Sequence, residues 1–346
     1  MNGASSQRAL LFGGAITSIG TAVWFKGKDE RVLTTAECTN ARKRLQRLCT
    51  LDPDQTRVAT DQHLSNLKKY GVSVVKETLD GHERDQWKAK LNRAFDAGAG
   101  VTWNSGRAHH CISRRDDLYR ELSKVGGSAE DDCNHDRSTN GKVAAGSWAD
   151  YFRTRTLPAK TTTRTDMSNG PNARRITLKE IVQSYFAYHK IKRYEITDVQ
   201  FLNAYPSSTN QIWHRDNKFK GLTAIIALED VTSNGPTEIL VGTHLCDTLS
   251  SLIRWSIGST SDENNGTDAC KVLLGCLDAG DAILYDARVL HRGRGNNCAD
   301  ERERPVLVLR WDAARTPPPG CGLITTTSNI YLGKIMYAIL NARGLS

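Results

Sequence analysis

From Tyr194 to Trp311 the chain is a series of short apolar runs separated by turn-forming residues. The runs are I-T-D-V-Q-F-L-N-A-Y, T-A-I-I-A-L-E-D-V, T-E-I-L-V, C-K-V-L-L, A-I-L-Y and P-V-L-V-L-R-W. Between them stand P-S-S-T-N, T-S-N-G-P, L-D-A-G-D and R-G-R-G-N-N. Several β-rich runs at this spacing predict a sandwich or barrel of short strands.

The rest of the chain has a different character. Thr35 to Leu51 predicts an amphipathic helix with a solvated basic face, and Gly71 to Val75 a short strand. His82 to Ala97 carries Trp87, Leu91 and Phe95 at helical spacing, and Ile176 to Tyr188 returns to the same period. Residues 100–175 are rich in Gly, Ser, Asn and Asp and read as loops with short helices. A Pro-rich stop after Trp311 precedes a helix expected over Asn329 to Ala342. The expected fold class is therefore α+β, a double-stranded β-helix (jelly-roll, cupin-like) core with flanking helices. Its expected divisions are a hydrophobic segment at 1–28, a mainly helical and loop region at 29–193, the β core at 194–316 and a helical extension at 317–346.

Ala9 to Phe25 carries no charge and is followed by Lys26, Lys28 and Arg31. An anchor, a cleaved leader and a mitochondrial presequence all fit it, so an intracellular protein with membrane or organellar association through residues 9–25 is one expectation. Net charge is +9, with 39% hydrophobic and 25% charged residues, a globular composition. The basic residues are scattered and no nucleic-acid motif accompanies them, so no nucleic-acid partner is expected. Nine cysteines without a C-x-x-C pair read as reduced thiols. His109-His110-Cys111 and Cys133 with His135-Asp136 lack zinc spacing and read as loop residues.

One constellation carries chemistry. Trp213-His214-Arg215-Asp216 follows a strand and a turn. Residues two apart in an extended segment point the same way, so His214 and Asp216 can face one ion. His291, in A-I-L-Y-D-A-R-V-L-H, supplies a second imidazole. Two histidines and a carboxylate on one face leave open coordination positions, the arrangement of non-haem iron(II) oxygenases. A 2-oxo acid co-substrate needs its far carboxylate held, which arginine does best through its planar fork. Arg304 opens the strand after His291, with Arg302 as its competitor. Asn203, Tyr205 and Gln211 lie on or beside the strand entering the metal motif and are further co-substrate candidates, with core polar contacts as the competing role. Arg107 to Arg115 are placed at a substrate entrance.

Four stretches, Q-I-W-H-R-D, N-G-P-T-E-I-L-V-G-T-H, G-D-A-I-L-Y-D-A-R-V-L-H-R-G-R-G-N-N and R-P-V-L-V-L-R-W, resemble the phytanoyl-CoA dioxygenase-like family of iron(II) and 2-oxoglutarate dependent dioxygenases. They follow the family's order over residues 194–312, and K-K-Y-G-V-S-V-V resembles its opening. The resemblance implies that His214, Asp216 and His291 hold iron(II), that Arg304 holds 2-oxoglutarate, and that dioxygen is a co-substrate with ascorbate helpful. It implies oxidation of a C–H bond of a small, anionic or acyl-CoA-like substrate, with succinate and carbon dioxide released. Gly242-Thr243-His244 matches the family's P-G-S-H turn, with Val241 where proline is common. The rival reading is a non-catalytic metal-binding relative serving as a binding or regulatory module. A halogenase is disfavoured because Asp216 stands where such sites carry a small residue.

Overall fold

The computed structural model describes residues 32–49, 56–96, 101–103, 106–111, 177–257, 272–298, 301–314, 331–336 and 338–340. Residues 9–25, 112–176 and the Cys133 to Asp136 cluster lie outside them, as do the side chains of residues 109–111. Among the described residues no helix is long and apolar enough to cross a membrane.

In chain order the elements are α1 (Thr35–Cys49), α2 (Thr56–Tyr70), β1 (Val72–Val75), α3 (Gly81–Asp96), β2 (Val101–Trp103), β3 (Arg107–Cys111), α4 (Leu178–Tyr188), β4 (Tyr194–Ala204), β5 (Gly221–Ala227), β6 (Thr237–Leu240), α5 (Leu249–Ile257), β7 (Val272–Gly275), β8 (Ala282–Asp286), β9 (His291–Gly293) and β10 (Arg304–Ala313). They form a seven-stranded sheet of order β1-β8-β5-β10-β4-β3-β2 and a three-stranded sheet of order β7-β6-β9. Every pairing given for them is antiparallel. This is the jelly-roll core with flanking helices that the strand pattern predicts.

The region 29–193, expected to be mainly helices and loops, also donates β1, β2 and β3 to the large sheet. Of these, β1 is the strand that the Gly71 to Val75 run predicts; β2 and β3 are short, and β3 pairs with β4, far away in sequence, so local periodicity carries little sign of them.

Alternation along β10 sorts the two faces of the large sheet. Leu307, Leu309 and Trp311 pack under α2, α3 and α4 with Val199, Phe201 and Leu222. Val306 and Val308 face the small sheet with Ile225, Ala227, Ile283 and Ile239. The inner face therefore carries residues 304, 306, 308 and 310 of β10. Helix α1, through Cys38 and Ala41, and Leu33 just before it cover the outside of the small sheet, against Leu274 and Cys276. Residues 331–336 and 338–340 cover the region of Trp213 and Leu290 through Met336 and Leu340.

Candidate metal centre

The His214 segment is held as an added strand on the small sheet. His214 N donates to His291 O and His291 N to His214 O, both at 3.0 Å, in an isolated antiparallel bridge. Directly paired residues share a face, so the two imidazoles stand side by side, ring centroids 4.4 Å apart. Each ring is oriented by its own strand. His214 Nδ1 lies 2.8 Å from Ile212 O and His291 Nδ1 3.1 Å from Val289 O. Donation from Nδ1–H to these carbonyls leaves both Nε2 lone pairs for a ligand.

Asp216, two residues beyond His214, completes the group. One ligand atom from each of the three residues lies within 4.8 Å of the others, a separation that small side-chain rotations close onto one divalent ion. Among the described residues no other such group of His, Cys, Asp and Glu occurs. Thr223 Oγ1 donates to Asp216 Oδ2 at 2.7 Å and the Tyr285 hydroxyl donates to the same oxygen at 3.1 Å. Arg310 Nη2 lies 2.8 Å from Asp216 Oδ1, and its Nη1 lies 3.1 Å from Asp198 Oδ2. Burial works against a charge on Asp216, but Arg310 and the two histidines outweigh it and hold the carboxyl below its ordinary range. Burial pushes His291 down to about 4, against the pull of Asp216. The centre thus presents an ionised carboxylate and a neutral imidazole at neutral pH, the donor forms that bind a dication.

The turn before α5 braces this arrangement. Gly242 adopts φ 83°, the left-handed region that suits glycine. Thr243 Oγ1 then donates to Leu240 O at 2.7 Å and accepts from Leu290 N at 2.9 Å, fixing the residue before His291. Arg215 Nη2 donates to Thr243 O and Cys246 O, which ties the His214–Asp216 segment to the same turn. His244 is buried with Nε2 3.0 Å from Lys68 O, a structural place rather than a ligand's.

The remaining sequence candidates separate by face. Arg304 is 2% exposed, on the inner face of β10, and its Nε has no hydrogen-bond partner. Arg302 is exposed and reaches Thr232 Oγ1 at 3.2 Å. Gln211 Oε1 accepts from Gly293 N at 2.8 Å, beside the centre. Asn203 and Tyr205 are not brought to it. Asn203 pairs with Pro305, so it points to the outer face, where Nδ2 donates to Glu303 at 2.6 Å. Tyr205 is hydrogen-bonded to Asn203 and feels the Glu303 charge. The residues of this centre that the sequence reading passed over are Arg310, Thr223, Tyr285 and Asp198. Arg310 had a legible signal, because it stands an even number of places from Arg304 on one strand.

A jelly roll with two histidines and a carboxylate at one end of its interior defines the class of non-haem iron oxygenases. The phytanoyl-CoA dioxygenase (PhyH) family profile matches residues 28–304, and the chain belongs to that family, whose members use iron(II) and 2-oxoglutarate. No curated protein matches the chain in sequence. Among solved structures it is similar to the non-haem α-ketoglutarate dependent epimerase SnoN from nogalamycin biosynthesis, at 16% identity, 77% coverage of this chain, 88% of that one and TM-score 0.50. It is also similar to the carbocyclase SnoK from the same biosynthesis, at 12% identity, 80% and 93% coverage and TM-score 0.50. At these identities the likeness concerns the fold.

Proposed function

We propose that His214, Asp216 and His291 hold the iron, that Arg304 holds the far carboxylate of 2-oxoglutarate, and that the enzyme hydroxylates a C–H bond of a small organic substrate. The observation that carries this reading is the three-donor cluster facing the same interior as a buried arginine with no carboxylate partner among the described residues. Iron bound there with 2-oxoglutarate and dioxygen would supply an oxidant able to take hydrogen from an unactivated carbon, releasing succinate and carbon dioxide.

The chain's own residues do the rest. Thr223 and Tyr285 orient Asp216 by donating to Oδ2, and the backbone carbonyls of Ile212 and Val289 fix both rings. Val306, Val308 and Ile225 form an apolar wall between Arg304 and Arg310 that suits the methylenes of a five-carbon diacid and excludes water. The net charge of +9 favours an anionic substrate, with acyl-CoA thioesters one such class. Proteins of this fold include an epimerase and a carbocyclase, so the product, oxygenated or rearranged, is what tests hydroxylation.

Purified protein supplied with iron(II), ascorbate and 2-oxoglutarate should form succinate, and a converted substrate should gain one oxygen atom. His214→Ala should lose metal and succinate together. Arg304→Ala should keep metal but bind 2-oxoglutarate far more weakly, while Arg302→Ala leaves that affinity unchanged. Absence of both succinate and 2-oxoglutarate binding in the wild type favours the non-catalytic relative; substrate isomerised or cyclised without added oxygen contradicts hydroxylation alone.

A further inference from the structure

Arg107, on β3, stands in one row of the large sheet with Arg304. Both residues register with Ala204 of β4, which lies between them. Partners in register share a face, so both guanidiniums enter the barrel interior, from backbones two strand spacings or about 10 Å apart. Ala204 between them contributes only a methyl group. Both arginines are 2% exposed. They lie close enough for the charge of Arg107, after burial itself, to depress the protonation of Arg304. Among the described residues neither has a carboxylate partner.

Arg107 divides its donors between two tasks. Nη2 reaches across to the small sheet and donates to Thr209 O at 3.1 Å, Gly293 O at 3.2 Å and Arg294 O at 2.5 Å. Nε and Nη1 are buried without a partner, as is Arg304 Nε. The head of Arg107 lies beside Gly293, two residues past His291: a Cβ at Gly293 would stand 3.1 Å from Arg107 Nη1 and 2.7 Å from Gln211 Oε1. A clamp on backbone carbonyls explains Nη2 only. Two adjacent buried cations with orphaned donors cost several kcal/mol each in lost hydration unless an anion completes them.

We infer that Arg107 is a second co-substrate arginine, and that it and Arg304 together take the distal carboxylate of the 2-oxo acid, making the site selective for a dicarboxylate. The inference rests on the 2-oxoglutarate reading above and adds to it a residue from the first half of the chain. Arg107 acts there as a binding and specificity residue.

The test uses the full-length protein with zinc(II) in place of iron, and two probes: 2-oxoglutarate, and 2-oxobutyrate, which has the same 2-oxo acid head but no distal carboxylate. Calorimetry gives each affinity. Arg107→Gln should weaken 2-oxoglutarate about 10- to 100-fold, the worth of a hydrogen bond to a charged group, and leave 2-oxobutyrate unchanged. Arg107→Lys, which keeps charge and a donor for the carbonyls, should fall between and serves if the glutamine variant does not fold. Equal weakening of both probes makes Arg107 a structural clamp and overturns the inference, as does no change in either. Arg304→Gln separates the two layers. If it too leaves the ratio of affinities unchanged, the 2-oxoglutarate reading itself fails; if it shifts the ratio and Arg107→Gln does not, only the second arginine is lost.

Discussion

The two imidazoles of the centre are held by the carbonyls of Ile212 and Val289, each two residues back along its own strand. The ring tautomer is thus set by local backbone and needs no acidic partner. Asp216 is different: its orientation depends on Thr223, Tyr285 and Arg310, which come from three other strands. Thr223→Val keeps the shape and removes one donor to Oδ2, so it should weaken metal affinity about 10-fold or more, read by metal titration. Unchanged affinity would contradict an orienting role. Arg310→Met removes the cation from the buried Asp216 carboxylate and should cost about 3–5 kcal/mol in denaturant unfolding of the metal-free protein. The triad was legible because H-x-D is an alternation argument confined to one strand. Nearness to the metal motif, which makes Asn203 and Tyr205 candidates, carries no face information: Asn203 stands on the outer face of β4 with Glu303, and Tyr205, just past the strand, is hydrogen-bonded to Asn203. Arg107 was read as an entrance residue, because nothing local tells that β3 pairs with β4.

At the scale of elements, the helices follow their periodicity and caps. The predicted helix from Ile176 to Tyr188 is α4. It opens on a capping box in which Thr177 accepts from Glu180 N and Glu180 reaches back to Thr177 N, and it buries Ile181, Val182, Tyr185 and Phe186. The contact between α2 and β1 holds a pH-sensitive pair: His63 Nδ1 lies 2.8 Å from Ser73 Oγ in the core. Burial pushes His63 down to about 4 from an ordinary 6.5, so the folded state keeps the ring neutral where the unfolded chain protonates it. Its contribution is full above pH 6.5 and is lost as pH falls toward 4, by about 3 kcal/mol at the most. Denaturant unfolding across that range should show stability falling with pH, and His63→Gln should flatten part of the slope. An identical slope in the variant would place the sensitivity elsewhere. Gly71, which joins α2 to β1 with φ 75°, has no such latitude, since a Cβ there would meet His244 Nδ1 at 2.4 Å. The loop-like composition of residues 100–175 concealed β2 and β3, which gain their strand character only by pairing at the sheet edge.

At the scale of the molecule, the two halves of the sequence do not become two layers. Strands from residues 72–111 complete the large sheet, one of them beside β8 and two beyond β4, so the first half builds the barrel that the second half's candidate metal residues occupy. That interleaving puts Arg107 of the first half and Arg304 of the second on one row. The family profile, which starts at residue 28 and runs to 304, spans the same interleaved unit. The fold class was legible because strand length and turn spacing are properties of the whole stretch. The sheet order was not, because non-local pairing leaves no periodic trace. The proposed function stands on His214, Asp216 and His291 sharing one ion and on the co-substrate that ion would recruit. The most direct measurement is an anaerobic titration of the metal-free protein with iron(II), followed by 2-oxoglutarate. The account predicts one iron per chain, 2-oxoglutarate binding that requires the iron, and loss of both in His291→Ala. Iron bound equally well by His291→Ala, or 2-oxoglutarate bound no better with iron than without it, would contradict it.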